Sequence, residues 1–271
     1  MGMRAQISFS DVFIYFLKRP ESKLSKLSFR LKRRTSVKDA IEALGVPHTE
    51  VGGIKINGMS AGFDSILDMD DQAEVLPFLP PVDVTQATLL RPDPYLMPRF
   101  IIDVNVAKLG ALLRLMGLDS AYNSKWHDEK IAQISMEEQR IVLTRDRSLL
   151  KRKIVVYGRL IREQNPWAQL VEVLTFYDVH KWLLPFSRCS LCNEILCPVP
   201  KKEILDSIEP LTRTFYDEFT QCPSCGQIYW AGSHKHRIIK RIQNILEKTH
   251  RMGLQYDVNV GRLFNEDSNC N

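Results

Sequence analysis

Three aspartates stand at positions in the sequence where a carboxylate could take part in chemistry. Asp103 closes the strand-like run 99–102, Asp146 follows the strand-like run 140–144, and Asp128 lies where a helix is predicted to begin. Such short runs are typical of buried parallel strands, whose carboxyl ends share one edge of a sheet. We therefore expect the three carboxylates to converge there, although each one alone is equally compatible with a helix cap or a turn.

Converging carboxylates are suited to binding hard divalent cations. Mg²⁺ and Mn²⁺ prefer oxygen ligands, and Mg²⁺ usually takes one or two carboxylates while keeping several waters. Two such ions about 4 Å apart stabilise the charge that develops during phosphodiester hydrolysis and activate a water. Asp103, Asp128 and Asp146 are therefore the candidate ligands for catalytic magnesium or manganese.

The residues around the aspartates predict the helices and strands that must position them. Apolar residues recur at helical spacing over 106–117, and a second helix follows Asp128. The run 154–157 predicts a further strand, and the Asn-Pro pair at 165–166 predicts the start of a last helix. This order predicts an α/β domain with a parallel sheet.

Two Cys-x-x-Cys pairs form the most specific motif in the chain. Residues 193–221 separate the pairs, which consist of Cys189, Cys192, Cys222 and Cys225. Four thiolates bind zinc tetrahedrally, whereas a redox function needs a single pair beside a thioredoxin-like helix. The spacing predicts a structural zinc ribbon, in which no coordination position stays open for catalysis.

The order and spacing of these residues resemble the Mut-seven C-terminal RNase domain family, a branch of the PIN-like nuclease folds. The resemblance covers residues 99 to about 236 and rests on Asp103, Asp128, the Thr144-Arg145-Asp146 segment and the cysteine pairs. It implies a PIN-like parallel-sheet nuclease domain with an inserted zinc ribbon. It also implies that the three aspartates bind the catalytic ions, with Asp103 bridging them, and that Thr144 positions a ligand or water.

Two functions compete for this sequence. The three aspartates favour a metal-dependent ribonuclease that hydrolyses RNA phosphodiester bonds. PIN-like nucleases commonly have a fourth acidic residue in the helix region where this chain has Lys108 and Arg114. Together with the added modules, this departure favours a non-catalytic adaptor that binds RNA or a ribosome. Because all three aspartates are present, the ribonuclease is the preferred hypothesis.

Basic and aromatic residues in the second half of the chain are candidates for binding RNA. Aromatic side chains stack on exposed bases, and basic side chains neutralise phosphates. One group surrounds the third aspartate, and the other begins at Tyr229 and Trp230, which could equally pack the zinc ribbon. The candidates are Arg145, Arg147, Lys151, Arg152, Tyr229, Trp230, His234, Lys235, Arg237, Lys240 and Arg241.

The first 80 residues predict a second fold. Strand-like stretches, a helix capped by Ser36 and an Asn57-Gly58 turn fit a β-grasp, the ubiquitin-like architecture of the domain that accompanies some members of the same family. Ubiquitin-like carriers act through a free terminal Gly-Gly, and this chain has Phe78-Leu79-Pro80-Pro81 there. We therefore expect a docking or stabilising module, with a protein as its candidate partner.

Proline-rich composition between the two folds predicts the domain boundaries. Prolines at residues 81–98 suggest a stiff linker across which the two main domains fold separately. The predicted parts are a β-grasp domain at 1–80, the linker at 81–98, a PIN-like nuclease domain at 99–185, a zinc ribbon at 186–236, and a basic amphipathic helix and tail at 237–271.

The composition excludes several protein classes. A hydrophobic content of 44% and a charged content of 25% are ordinary for globular proteins and exclude a disordered or fibrous chain. No apolar run reaches the length of roughly 18 residues that a membrane span needs, and the apolar stretch 12–17 is too short for a signal peptide. We expect a cytoplasmic location or an organelle interior, without membrane contact. The net charge of +5, unevenly distributed, is compatible with an RNA or ribonucleoprotein partner.

Overall fold

Two sheets form the frame of this computed structural model, which describes residues 4–17, 26–31, 34–232, 238–245 and 247. In chain order the first part of the molecule contains β1 (Arg4–Phe9), β2 (Lys26–Arg30), β3 (Thr35–Ser36), α1 (Val37–Leu44), β4 (Val51–Ile56), β5 (Met59–Ser60), β6 (Ile66–Leu67) and β7 (Gln72–Pro77). Five of these strands form a mixed sheet in the order β2-β1-β7-β4-β5, in which β1 and β7 run parallel and the other neighbours antiparallel. This arrangement confirms the β-grasp prediction.

Local sequence signals account for the ends of these elements. The Ser36 hydroxyl accepts a hydrogen bond from the Asp39 N–H at 3.1 Å and caps α1. Asn57 and Gly58 have φ angles of 51° and 82°, in the left-handed region that a tight hairpin turn between β4 and β5 requires. The predicted capping residue and turn are therefore both present.

The second sheet is parallel and confirms the α/β prediction. Its elements, in chain order, are β8 (Phe100–Ile102), α2 (Ala107–Leu115), β9 (Ser120–Ala121), α3 (Asp128–Glu137), β10 (Ile141–Thr144), α4 (Arg147–Leu150), β11 (Gly158–Leu160) and α5 (Pro166–Phe176). The strands lie in the order β11-β10-β8-β9, and each neighbouring pair is parallel. The residues that follow each strand therefore come to the same edge of the sheet.

The last strand of this sheet differs from the prediction. The run 154–157 was expected to pair, but the strand lies at Gly158–Leu160 instead. Val155 and Tyr157 are buried, and the Tyr157 carbonyl accepts the Val142 N–H at 3.1 Å, so pairing with β10 begins only at the end of this run. Gly158 allows the chain to approach α4 closely, because a Cβ at this position would lie 2.6 Å from Leu150 Cδ2.

One hydrophobic cluster extends from the first sheet into the second. The 3-10 turn Asp11–Phe16 buries Phe13 and Phe16 in this cluster. The cluster includes Ile7, Phe13, Phe16, Ile54 and Val75 from the first part of the chain together with Ile101, Val142, Leu149, Leu150 and Leu160 from the second. The two sheets thus share a core, whereas the domain boundaries derived from composition stay a prediction.

The proline-rich segment 81–98 packs against the nuclease-like part of the molecule. Val82, Val84 and Tyr95 are buried. The Val82 N–H donates to the Phe176 carbonyl oxygen at 2.8 Å, and the Val82 carbonyl accepts the Asp178 N–H at 3.0 Å. The segment therefore runs along the end of α5 as part of the packed structure.

Arg91, within this segment, connects the two sheets. Arg91 is 2% exposed. Its guanidinium donates to the Val51 carbonyl at 2.9 Å, to the His48 carbonyl at 3.2 Å and to the Val156 carbonyl at 3.1 Å. The guanidinium carbon also lies 4.9 Å from the centre of the Tyr157 ring. Burial lowers the pKa of Arg91 to about 10, so the side chain is still charged at neutral pH.

Glu50 forms a second polar connection between the sheets. The Arg159 guanidinium donates to Glu50 Oε2 at 2.6 Å, and the Leu160 N–H donates to Glu50 Oε1 at 2.7 Å. Burial raises the pKa of the Glu50 carboxyl, while these two partners act in the opposite direction. A buried carboxylate of this kind needs both donors, because an unpaired buried charge is strongly destabilising.

The cysteine-rich part forms a small sheet of its own. Its elements are β12 (Cys197–Pro198), α6 (Pro210–Phe215), β13 (Phe219–Gln221) and β14 (Ile228–Trp230), with the strands antiparallel in the order β12-β13-β14. Ile204, Ile208, Phe219 and Ile228 form a separate cluster beneath it. This arrangement fits the predicted ribbon, and the loop between the cysteine pairs contains two 3-10 turns besides α6.

Residues 238–245 are helical and pack on the parallel-sheet unit. Ile242 and Ile245 join its hydrophobic core, and the Arg241 guanidinium carbon lies 4.3 Å from the centre of the Trp167 ring. The helix is therefore amphipathic, as predicted. In the described part of the chain, no helix combines the length and apolar character that a membrane span requires.

We predict that Arg91→Ala lowers the free energy of unfolding by about 3 kcal/mol, because the substitution leaves backbone carbonyls in both domains without donors and removes a buried side chain. Chemical denaturation followed by circular dichroism measures the change. Arg4→Ala is the matched control, since Arg4 is exposed on β1, and its effect should stay below about 0.5 kcal/mol. Equal effects of the two substitutions would contradict the structural role assigned to Arg91.

Candidate functional site

Asp103 lies directly after β8, at the edge where the parallel strands end. It is 5% exposed, and its N–H donates to the Leu143 carbonyl at 3.1 Å, which ties it to β10. Its Oδ2 accepts hydrogen bonds from Thr144 Oγ1 at 2.5 Å and from Asn105 Nδ2 at 2.6 Å. Both partners donate to the same oxygen, and the other carboxylate oxygen, Oδ1, has no donor within the described part of the chain.

Thr144, the last residue of β10, links the first aspartate to the third. Its side chain is buried. Its hydroxyl donates to Asp103 and accepts the Asp146 N–H at 2.8 Å. Since the hydroxyl is engaged on both sides, Thr144 acts in the structure as a positioning residue for the two aspartates.

Asn105 closes the hydrogen-bond network between the two strand ends. Its amide nitrogen donates to Asp103, and its amide oxygen accepts the Arg145 N–H at 3.0 Å. The loop after β8 and the loop after β10 are therefore joined by one side-chain amide. The sequence offered one signal for this residue, an amide side chain two positions after the strand-ending aspartate.

Asp146 caps α4 with one of its carboxylate oxygens. Oδ1 accepts hydrogen bonds from the Ser148 N–H at 2.7 Å and from the Ser148 hydroxyl at 2.6 Å. Oδ2 has no donor among the residues that the structure describes. The alternative that this aspartate is a helix cap is therefore correct, and the cap still leaves one oxygen for a ligand.

Asp128 is the first residue of α3, where a negative charge interacts favourably with the helix dipole. Its carboxylate makes no hydrogen bond or ion pair within the described residues. Asp103, Asp128 and Asp146 follow three neighbouring strands, but they are not gathered around one point. Among the described residues, the side chains that are close enough together to hold one metal ion are the four cysteines.

Arg114 has a structural role on α2. It is buried. Its Nε donates to the Ser120 carbonyl at 2.8 Å, and its Nη1 donates to the carbonyls of Ser190 and Leu191 at 3.1 and 2.7 Å. These bonds attach the loop of the first cysteine pair to the parallel-sheet unit. Arg114, in the helix region where the resemblance implied a further acid, is therefore used here to hold the cysteine-rich module.

Asp119 lies at the opposite edge of the sheet from Asp103. It precedes β9 and forms ion pairs with Arg99 and Arg140, which precede β8 and β10. Burial opposes ionisation, but the hydrogen bond from Arg140 more than compensates and lowers the pKa of the Asp119 carboxyl. This carboxylate therefore belongs to the structural ion pairs at the amino ends of the strands.

The four cysteines form a compact group of thiols. The ligand atoms of Cys189, Cys192, Cys222 and Cys225 all lie within 4.8 Å of one another. The Cys189 and Cys225 sulfurs are 3.6 Å apart, and the Cys192 and Cys222 sulfurs are 3.3 Å apart. Two members are buried and two are exposed. Four sulfurs in this arrangement can bind a metal ion as a closed tetrahedral site.

Tyr229 contacts this cysteine group through its hydroxyl. Its oxygen lies 3.1 Å from the Cys189 sulfur and accepts the Ser190 N–H at 3.1 Å. Burial raises the pKa of the Cys189 thiol, but hydrogen bonds from the Tyr229 hydroxyl and two backbone N–H groups outweigh it and bring the pKa to about 6. The structure therefore uses Tyr229 to pack the ribbon, one of the two alternatives left by the sequence.

The RNA-binding candidates near Asp146 differ in how much of each side chain is available. Arg145 and Arg152 are exposed, and Arg147 is partly exposed. The Lys151 ammonium donates to the Glu42 carbonyl at 3.0 Å and so helps to join the two sheets. Of these four side chains, the three arginines offer the largest accessible positive charge beside the strand edge.

The candidates in the last part of the chain divide into described and undescribed residues. Trp230 is 40% exposed at the end of β14, and Lys240 and Arg241 are exposed on helix 238–245. Arg241 also stacks on Trp167. The predicted RNA contacts at His234, Lys235 and Arg237 lie outside the described residues.

Comparisons with known proteins agree with this architecture. Residues 98–242 match the model of the Mut7-C RNAse domain, and residues 3–83 match the model of the Mut7-C ubiquitin domain. Searches of curated proteins and of solved structures found no match. Because the first match spans more than half of the 271 residues, the chain belongs to the Mut7-C RNAse domain family, with the family's ubiquitin-like domain at its amino end.

Proposed function

We propose that the chain is a metal-dependent ribonuclease that hydrolyses RNA phosphodiester bonds at the edge carrying Asp103, Asp128 and Asp146. The observation that carries this proposal is the hydrogen bonding of the two aspartates nearest β10. Asp103 and Asp146 each have one oxygen fixed by the fold and a second oxygen without a donor in the described structure. Membership of an RNase domain family supports the same function.

The donor set fits magnesium or manganese, because oriented carboxylate oxygens are the ligands that these ions prefer. Thr144 and Asn105 both donate hydrogen bonds to Oδ2 of Asp103, which orients its carboxylate group. When bound, such an ion neutralises charge on the phosphate and makes a coordinated water more acidic. Asp103, Asp128 and Asp146 would hold the ion.

The remaining residues of the edge position these ligands and bind the substrate. Thr144 and Asn105 connect the Asp103 carboxylate to the backbone N–H groups of Asp146 and Arg145, and so join the two strand ends. The exposed guanidinium groups of Arg145 and Arg152 and the partly exposed Arg147 are suited to contact the phosphates of the scissile strand. The proposed substrate is RNA, either free or within a ribosome or another ribonucleoprotein.

The ribbon and the helix that follows it extend the proposed RNA-binding surface. Trp230 offers an exposed aromatic ring, and Lys240 adds an exposed positive charge. A single-stranded RNA uses both types of group, since its bases stack and its phosphates need counter-charge. In this proposal the surface of the ribbon binds RNA, whereas its four thiols bind a metal ion.

We also infer that the four-cysteine group binds zinc. Four thiols within 4.8 Å of one another satisfy the ligand count and type of a structural zinc site. The Tyr229 hydroxyl and the guanidinium of Arg114 support the group from outside. A positive side chain near this site offsets the negative charge that four thiolates and one zinc ion carry together.

A non-catalytic adaptor is the second candidate function. Lys108 and Arg114 occupy the helix in which PIN-like nucleases commonly have a further acid, and the bonds of Arg114 to the ribbon give it a structural role. Such a chain would bind RNA through the same basic surface without hydrolysing it. Cleavage assays separate the two functions.

We predict that Asp103→Asn abolishes RNA cleavage while preserving RNA binding. The substitution removes a negative ligand at nearly constant volume, so the single-turnover rate with Mg²⁺ or Mn²⁺ should fall by about a hundredfold or more. RNA affinity measured without added divalent ions should change little. Asp93→Asn, an exposed position in the proline-rich segment, is the control and should cleave normally.

Two outcomes would contradict the ribonuclease proposal in different ways. Wild-type protein that binds RNA but cleaves no single-stranded or structured RNA with either ion is an adaptor. Cleavage with an unchanged rate in Asp103→Asn means that the activity resides elsewhere in the molecule.

We predict one zinc ion per chain, lost on Cys192→Ser because the closed site needs four thiolates. Elemental analysis of the purified proteins measures it. Tyr229→Phe keeps the ring and loses the hydroxyl near Cys189, so zinc affinity should fall by about tenfold in a chelator competition. Full zinc retention in Cys192→Ser would refute the assignment of the ligands.

A further inference from the structure

A tyrosine of the ubiquitin-like domain lies at the rim of the proposed catalytic edge. Tyr15 belongs to the 3-10 turn Asp11–Phe16 and is 58% exposed. The neighbouring Phe16 is buried in the core that the two sheets share. The turn is therefore anchored by its buried phenylalanines, while the tyrosine ring faces outward.

Two arginines of the nuclease-like domain flank this ring. The Arg147 guanidinium carbon lies 4.5 Å from the centre of the Tyr15 ring, and the Arg162 guanidinium carbon lies 5.6 Å from it. Arg147 also donates from Nη2 to the Tyr15 carbonyl at 2.9 Å. Three side chains from two domains thus form one aromatic and basic cluster, which we call the Tyr15 cluster.

The Tyr15 cluster is adjacent to the candidate metal ligands. Arg147 directly follows Asp146 in the chain. Arg162 follows Ile161, whose N–H donates to the Thr144 carbonyl at 2.8 Å. Arg147 is therefore next to a candidate metal ligand, and Arg162 lies two residues after the end of β11, the strand that pairs with β10.

Neither guanidinium group of the Tyr15 cluster forms a direct ion pair within the described structure. Neither Arg147 nor Arg162 has a carboxylate oxygen within 4.0 Å among the described residues, whereas Arg99, Arg140 and Arg159 each do. The Arg162 guanidinium donates no hydrogen bond to any described residue. Two neighbouring guanidinium groups repel each other, so an anion between or beside them is favourable.

We propose that the Tyr15 cluster is a nucleotide-binding subsite for single-stranded RNA, in which Tyr15 stacks a base while Arg147 and Arg162 hold the adjacent phosphates. This inference rests on the proposed RNA-cleaving function of the same edge. A single strand is the ligand that fits, because its unpaired bases are accessible to an aromatic ring and its backbone carries the required negative charge. The ubiquitin-like domain then contributes directly to substrate binding.

The test compares two RNA strands of equal length without added divalent ions, one with bases and one in which the central nucleotides are abasic. Tyr15→Ala should weaken binding of the complete strand by about tenfold, as expected for one lost stacking contact. It should have no effect on binding of the abasic strand. Tyr15→Phe should restore normal affinity, because the ring is retained. Met59→Ala, a 73% exposed position on β5, is the control for surface truncation in the same domain.

The arginine contacts have a separate readout in the salt dependence of binding. Arg162→Gln should reduce the slope of log affinity against log salt concentration by about 0.7, the value for one phosphate contact on a single strand. This reduction should be the same for the complete and abasic strands. Lys55→Gln is the charge-matched control, since Lys55 is exposed on β4, and should leave the slope unchanged.

The outcomes separate this inference from the proposed function. If wild type and Tyr15→Ala bind the complete strand with equal affinity, the stacking role is overturned. The same holds if Tyr15→Ala loses affinity equally for the complete and abasic strands. Both results leave the ribonuclease proposal intact. Absence of RNA binding by the wild type overturns both. Base-dependent loss in Tyr15→Ala without any cleavage by the wild type supports the subsite and refutes the nuclease.

Discussion

A buried guanidinium, that of Arg91, is the constraint on which the arrangement of the two domains depends. A charge taken out of water must be satisfied by hydrogen bonds, and Arg91 finds its acceptors at the carbonyls of His48, Val51 and Val156. His48 and Val51 belong to the first domain and Val156 to the second, so the acceptors meet only when the two domains are docked. The docked position in turn brings the 3-10 turn Asp11–Phe16 to the edge where the parallel strands end. Arg91 therefore helps to determine which residues of the first domain lie beside the candidate site.

The two candidate metal sites differ in how the fold prepares them. The cysteine sulfurs are gathered within one small volume, and the Tyr229 hydroxyl contacts the group only at Cys189. Asp103 and Asp146 are instead held by hydroxyl, amide and N–H donors, which Thr144, Asn105 and Ser148 provide. These donors satisfy one oxygen of a carboxylate and leave the other for a ligand. The cysteine site is a closed cluster, whereas the aspartate edge is a framework open to solvent and substrate.

The sequence predicted the features that depend on local patterns. Apolar runs ending in Asp103 and Thr144 indicated parallel strands, and the two Cys-x-x-Cys pairs indicated that the four cysteines lie together. Local patterns could not predict the contacts of Arg91, Glu50 or Arg114, since each of these side chains bonds to residues far away in the chain. The prolines likewise predicted a stiff segment at 81–98. The segment is buried because it packs against α5, and composition alone cannot predict that contact. The run 154–157 was misread for a related reason, because burial and strand pairing produce the same apolar signal in a short segment.

The pairing of Glu50 with Arg159 also constrains how this protein family can change. Each side chain lies in a different domain and satisfies the other inside the shared interface. Exchange of the ubiquitin-like domain for one without a carboxylate at this position would leave Arg159 with only the longer contact to Glu172, at 3.8 Å, and would leave the Leu160 N–H without its acceptor. Recombination at the domain boundary is therefore disfavoured unless both positions change together. The two domains should be inherited as one unit, and residues 50 and 159 should covary among sequences that keep this interface.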